Sequence, residues 1–221
     1  MKYSMLVLST MLLFENFSFG MSDSSPDNPD KMGAKTAISS LNETDYDTWF
    51  RAEDVSEMQA LINKGIDINR QNWIDYTAIM CASMSGRIPV VRFLLNEGAI
   101  SDGALTCAAR KGEEEVAKLL LENGSKATER GALSAAVIGG NINLVRLLLE
   151  NGANPNDDGH RDTPLICAAG SWRWDIFELL LEYKADPQVR NRMGETVLEF
   201  ANRAGCYGMA SSLIYDAQNK K

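Results

Sequence analysis

The sequence contains a single histidine, His160, so no metal centre built on several imidazoles can form. Its four cysteines, Cys81, Cys107, Cys167 and Cys206, include no C-x-x-C pair, and their spacings match no zinc pattern. No stretch of apolar residues is long enough to cross a bilayer as a helix. Basic residues are outnumbered: the net charge is −8, which excludes nucleic acid as the main partner because phosphate binding needs a basic footprint. The phosphate-cradling patterns G-x-x-x-x-G-K-[ST] and G-x-G-x-x-G are missing, and Gly139-Gly140 reads as a turn between helices. His160 lies near Asp158 and Asp162, but no nucleophile elbow accompanies it, so it reads as a solvated loop residue. Glu113-Glu114-Glu115 reads as an acidic helix start favoured by the helix dipole. With no catalytic arrangement, the sequence predicts a non-enzyme that uses no cofactor and no metal.

What the chain has is one phrase, repeated. It reads "VRLLLENGA" over residues 145–153, "VRFLLNEGA" ending at Ala99 and "AKLLLENGS" ending at Ser125. Weaker copies are "QALINKGI" ending at Ile66 and "FELLLEYKA" ending at Ala185. Each is an apolar helix end followed by a stop, and glycine suits a stop because a helix often ends on a residue at positive φ. The stops fall at Gly65, Gly98, Gly124, Gly152 and Lys184, separated by 33, 26, 28 and 32 residues. A helix stop at a near-fixed interval marks a repeat array, and ahead of each stop lie two short helical segments joined by a turn. Lys184, standing where the others have glycine, predicts local strain.

Local chemistry supports this register. Thr77, Thr163 and Thr196 are suited to cap the first helices, and Pro164 follows its cap at a position that needs no N–H. First helices carry small residues, Ala82-Ser83, Ala108-Ala109, Ala135-Ala136 and Ala168-Ala169, which allow close approach of neighbours. Second helices carry the bulk, such as Val90, Val91, Phe93, Leu94 and Leu95, then Val116, Leu119, Leu120 and Leu121. Three of the four cysteines share one register position, where neighbouring helices lie about 10 Å apart. That is too far for a disulfide, so buried free thiols are expected.

"TPLICAA", "GALTCAARKGEEEVAKLLLENG" and "GNINLVRLLLENGANPN" resemble the ankyrin-repeat family, whose repeat of about 33 residues opens T-P-L-H-x-A. The resemblance runs from residue 44 to about 215 in six copies, the first and last degenerate. It implies an all-α solenoid of helix-turn-helix repeats with short β-hairpin fingers. The family's histidine is replaced throughout, by Met80, Thr106, Ser134, Ile166 and Glu199, so its hydrogen bonds must be replaced or lost. Eleven residues separate Gly65 from Thr77, but only four separate Gly98 from Gly103 and six separate Gly124 from Gly131. Fingers are therefore expected before the second, fifth and sixth repeats and truncated before the third and fourth. A shortened first helix around Trp49, Phe50 and Arg51 is expected to cap one end. Ser211, Ser212, Asp216 and Gln218 are expected to turn a polar face outward at the other.

Family members generally bind partners on the concave side, formed by finger tips and first helices. Carried onto this chain, that surface comprises Trp73, Ile74, Tyr76 and Met84, then Arg110, Lys111 and Arg130, then His160, Arg192 and Met193. Arg190 and Arg203 would extend the basic strip, and Trp172 and Trp174 sit at the turn of the fifth repeat. The expected partner is a protein or peptide, acidic with apolar anchors, bound by a monomer. The alternative is an exported regulator of a cognate enzyme or toxin, or an effector delivered into a host cell.

The N-terminus bears on that choice. Lys2, an apolar run over residues 5–14 and the small pair Ser18 and Gly20 follow the order of a secretory signal peptide, with cleavage after Gly20. Two readings stay open: an exported protein, periplasmic or secreted, or a cytoplasmic one starting at Met1 or Met21. The absence of disulfide-capable cysteines counts against an oxidising destination. Residues 21–43 read as a flexible linker, and the repeat domain is expected over 44–221. The sequons at Asn42 and Asn123 read as chance matches.

Overall fold

A computed structural model of the chain describes residues 41–157 and 161–219. The expected signal peptide lies outside the described residues, as does the expected linker up to residue 40. The described residues form twelve α-helices in six consecutive pairs. These are α1 (Glu43–Arg51) with α2 (Val55–Asn63), α3 (Ala78–Met84) with α4 (Ile88–Asn96), and α5 (Ala104–Lys111) with α6 (Glu114–Glu122). They continue with α7 (Ala132–Gly139) and α8 (Ile142–Glu150), α9 (Pro164–Gly170) and α10 (Trp174–Glu182), and α11 (Val197–Ala204) and α12 (Tyr207–Asn219). Each first helix packs on the first helix of the next pair, and each second helix on the next second helix, which is the connectivity of a solenoid.

The small residues let this happen. Ala82, Ala108, Ala109, Ala136, Ala168 and Ala201 are buried along one column of first helices. Where α7 meets α5 the approach leaves no room for a side chain: a Cβ on Gly139 would lie 2.8 Å from the Arg110 carbonyl oxygen. Second helices fill the other layer, with Val91, Leu94, Leu120, Leu144, Leu148 and Leu180 all buried. Each such leucine contributes about 2 kcal/mol of apolar transfer, available only when the neighbouring repeat covers it.

Helix starts show how the loops were shortened. Thr77, Thr163 and Thr196 cap α3, α9 and α11 through their hydroxyl oxygens, as the sequence predicts. The helices after the short connections begin instead at Gly103 and Gly131, both at positive φ and both without a side-chain cap. Their open amides are served by the following repeat. Glu129 accepts from the Thr106 amide at 3.2 Å and from the Thr106 hydroxyl, and Asp157 accepts from the Gly131 amide at 3.1 Å. Glu129 thus replaces at Thr106 part of what the missing histidine would supply.

A second ladder runs between the helix turns. Asn141 donates to the Gly112 carbonyl at 3.1 Å, and Arg87 donates to the carbonyls of Phe50 and Ala52. Arg87, Glu113, Asn141 and Arg173 each start a second helix, and each lies against the preceding repeat.

Three expectations change. The first helix of the first repeat is not shortened: α1 has nine residues against seven in α3, because Asn42 and Asp45 form a capping box and Trp49 is buried beneath it. Among the described residues there is no strand, only one bridge pairing Gln71 with Thr77. The fingers before α3 and α11 are tight turns, closed by Asn72 N–H to Tyr76 O at 2.9 Å and Asn191 N–H to Glu195 O at 3.0 Å. The outward face of α12 is mixed, since Tyr207, Met209 and Tyr215 are exposed beside Ser212, Asp216 and Gln218.

All four cysteines are free. Burial pushes the Cys107 thiol up to about 11 and the Cys167 thiol up to about 12. A thiol whose folded-state pKa is raised stays protonated while its unfolded counterpart ionises, so stability is kept below the ordinary thiol pKa and lost above it. Two outcomes are expected. Iodoacetamide at pH 8 should modify Cys107 and Cys167 far more slowly in the folded chain than in denaturant, and the urea midpoint should fall as pH rises from 9 towards 12. Lys184 sits at φ +67°, so Lys184→Gly should stabilise the chain by about 1 kcal/mol, read as a higher urea midpoint.

Candidate partner-binding surface

Two finger turns share one construction. Asn72 accepts from the amides of Ile74 and Tyr76 at 3.0 and 2.9 Å, and Asn191 accepts from those of Met193 and Glu195 at the same distances. Asp75 and Gly194 hold the matching left-handed positions, at φ +61° and +77°. An asparagine side chain that mimics a backbone turn fixes the tip without strands. Trp73 and Ile74 therefore occupy the tip of one turn, and Arg192 and Met193 the tip of the other. All four are exposed; Trp73 is 90% exposed and Met193 76%.

The sequence places Ile74, Tyr76 and Met84 together, and the structure joins them in one groove. It measures about 530 Å³ and runs between the first two repeats, with Phe50 and Cys81 adding to its apolar wall. Arg87 reaches the same groove, and burial pulls its guanidinium below the usual value. Its Nε–H is buried without an acceptor among the described residues. Burial likewise raises the Cys81 thiol, opposed by Arg87, so this cysteine is a neutral wall residue. Phe50 and Cys81 were not among the expected surface residues. Phe50 carries no sequence signal because its exposure depends on how α1 sits against α3, whereas Cys81 falls on the face of α3 shared with Met84.

The basic residues divide into two groups. Arg190 pairs with Glu199 at 2.8 Å, and Arg203 forms a two-pronged pair with Glu195 at 2.8 and 2.9 Å. The Arg203 bond holds the Glu195 carboxyl below its usual range, and the Thr196 amide followed by Arg190 does the same for Glu199. These two arginines are spent within the chain. Arg110 and Lys111 end α5 and are exposed, and Arg130 is exposed in the loop before α7. His160 lies outside the described residues. Trp172 and Trp174 meet edge-to-face with ring centres 6.0 Å apart.

Among the described residues no group of three or more His, Cys, Asp or Glu side chains could hold a metal ion, and no helix is long and apolar enough to cross a membrane. Exposed aromatic, apolar and basic side chains thus lie on the finger tips and at the ends of the first helices. No curated protein matches the chain. A family model described as ankyrin repeats matches it three times, over residues 51–131, 105–191 and 133–221. Together these matches span most of the chain, and the chain belongs to the ankyrin-repeat family, whose members generally act as non-catalytic modules of protein–protein interaction.

Proposed function

We propose that the chain is a monomeric, non-catalytic recognition module that binds a partner protein or peptide at the groove between its first two repeats. The observation carrying this reading is Trp73, 90% exposed on a turn that Asn72 holds rigid, at the tip of the finger whose Ile74 and Tyr76 line an apolar groove. An indole in water on a fixed loop gains nothing for folding, but it brings large contact area to a partner with little entropy left to lose. Ile74, Tyr76 and Met84 form the apolar contact, and an acidic group beside the partner's apolar anchor suits the basic side chains along the stack. The exposed cations Arg110, Lys111, Arg130 and Arg192, with Met193, extend the same preference along the stack. A signal peptide over residues 1–20 would place this recognition in the periplasm or outside the cell, as expected of an exported regulator or effector.

The double variant Trp73→Ala/Tyr76→Ala tests this. Circular dichroism and the urea midpoint should stay within about 0.5 kcal/mol of the parent, the usual range for surface substitutions. Proteins retained from a native lysate by the immobilised full chain should be lost from the variant. A loss of several kcal/mol in stability would make the two aromatics structural, and unchanged retention would remove them from the binding site.

A further inference from the structure

A second surface lies at the turns joining first to second helices, and it shares Arg110 and Lys111 with the basic strip described above. The corresponding turn residue is Gly86, Gly112, Gly140 and Gly205 in four repeats, all at positive φ. In the fifth repeat it is Trp172, at φ +57°. A left-handed backbone disfavours any side chain relative to glycine; Trp172 recovers part of that in its edge contact with Trp174, yet remains 61% exposed.

Its surroundings are specific. Arg173, next in the chain, lays its guanidinium against the preceding turn, so that a Cβ on Gly140 would lie 2.5 Å from Arg173 Cζ. On the other side of the Gly139-Gly140 step, the backbone of Arg110 is in close contact with Gly139. Ile138 begins this step and is 56% exposed. These contacts define a notch at Gly139-Gly140: the Arg110 backbone lies on Gly139 and the Arg173 guanidinium on Gly140, the exposed Ile138 precedes the glycines, Trp172 adjoins Arg173 in the chain, and Lys111 follows Arg110. None of these three cations forms an ion pair with a described carboxylate, Asp175 included. On a chain with net charge −8 this is a local reversal of sign.

We propose that this notch is a second docking surface, and that it takes an acidic protein segment presenting a bulky apolar side chain between carboxylates. The apolar group packs on Trp172 and Ile138 over the glycine floor, and the carboxylates pair with Arg110 and Arg173. The cations select an acidic occupant, and repulsion between two chains of net charge −8 disfavours a second copy. Glycine at this position would relieve the turn but would remove both the Trp174 contact and the exposed anchor.

The test uses the full chain and a fluorescein-labelled peptide with glutamates on both sides of a central Leu-Phe pair, read by anisotropy. The parent should bind it with strong salt dependence and should not bind the version carrying glutamine in place of glutamate. Trp172→Gly should weaken binding at least tenfold while leaving the urea midpoint unchanged or raised. Arg110→Gln should also weaken binding and flatten the salt dependence. Tyr215→Ala, an equally exposed aromatic on α12, should change neither. The proposal is overturned if the acidic peptide does not bind, if the glutamine peptide binds equally, or if Trp172→Gly lowers the midpoint and leaves binding intact. Concentration-dependent dimerisation abolished by Trp172→Gly would also overturn it, by making a second copy the occupant.

Discussion

How closely one first helix can approach the next decides everything else in this chain. No helix pair can bury its own apolar faces, so the leucines of α4, α6, α8 and α10 are covered only if the neighbouring repeat comes near. The alanines of the first helices and Gly139 permit that approach. Polar side chains then fix the register: Arg87 and Asn141 reach back to carbonyls of the preceding repeat, while Glu129 and Asp157 reach back to its open amides. Burial supplies the energy, and these crossing hydrogen bonds supply the geometry.

This division explains where binding residues can sit. The repeated phrase is committed to stacking, so its positions cannot vary without loosening two neighbours. Finger tips, and turn positions that do not reach the preceding repeat, carry no such duty. Trp73 and Ile74 occupy one tip, Arg192 and Met193 another, and Trp172 a turn where four repeats keep glycine. Exposed anchors therefore gather where the backbone is held by local bonds instead of by the core.

Much of this was legible in the sequence because it rests on local chemistry. Glycine at a helix stop, threonine at a helix start and alanine at the close-contact column all act through their immediate backbone, and even the positive φ of Lys184 follows from its place in the phrase. What depends on two repeats at once was not legible. Nothing around Glu129 marks it as the acceptor for Thr106, whereas the capping box of α1, Asn42 with Asp45, is local. At the candidate surface, Ile74, Tyr76 and Met84 were expected together and do share a groove, but Phe50 joins them only through the packing of α1. Arg190 and Arg203 looked available and are held by Glu199 and Glu195, partners eight or nine residues away across a turn.

The central claim is that each repeat owes its stability to its neighbours, and amide hydrogen exchange on Gly139→Ala tests it directly. The added methyl would press on the Arg110 carbonyl, 2.8 Å away, and push α5 and α7 apart. Exchange should then accelerate together across α5, α6, α7 and α8, with α1 and α12 least affected. Faster exchange confined to α7 would show that the repeats hold themselves, and would contradict the account.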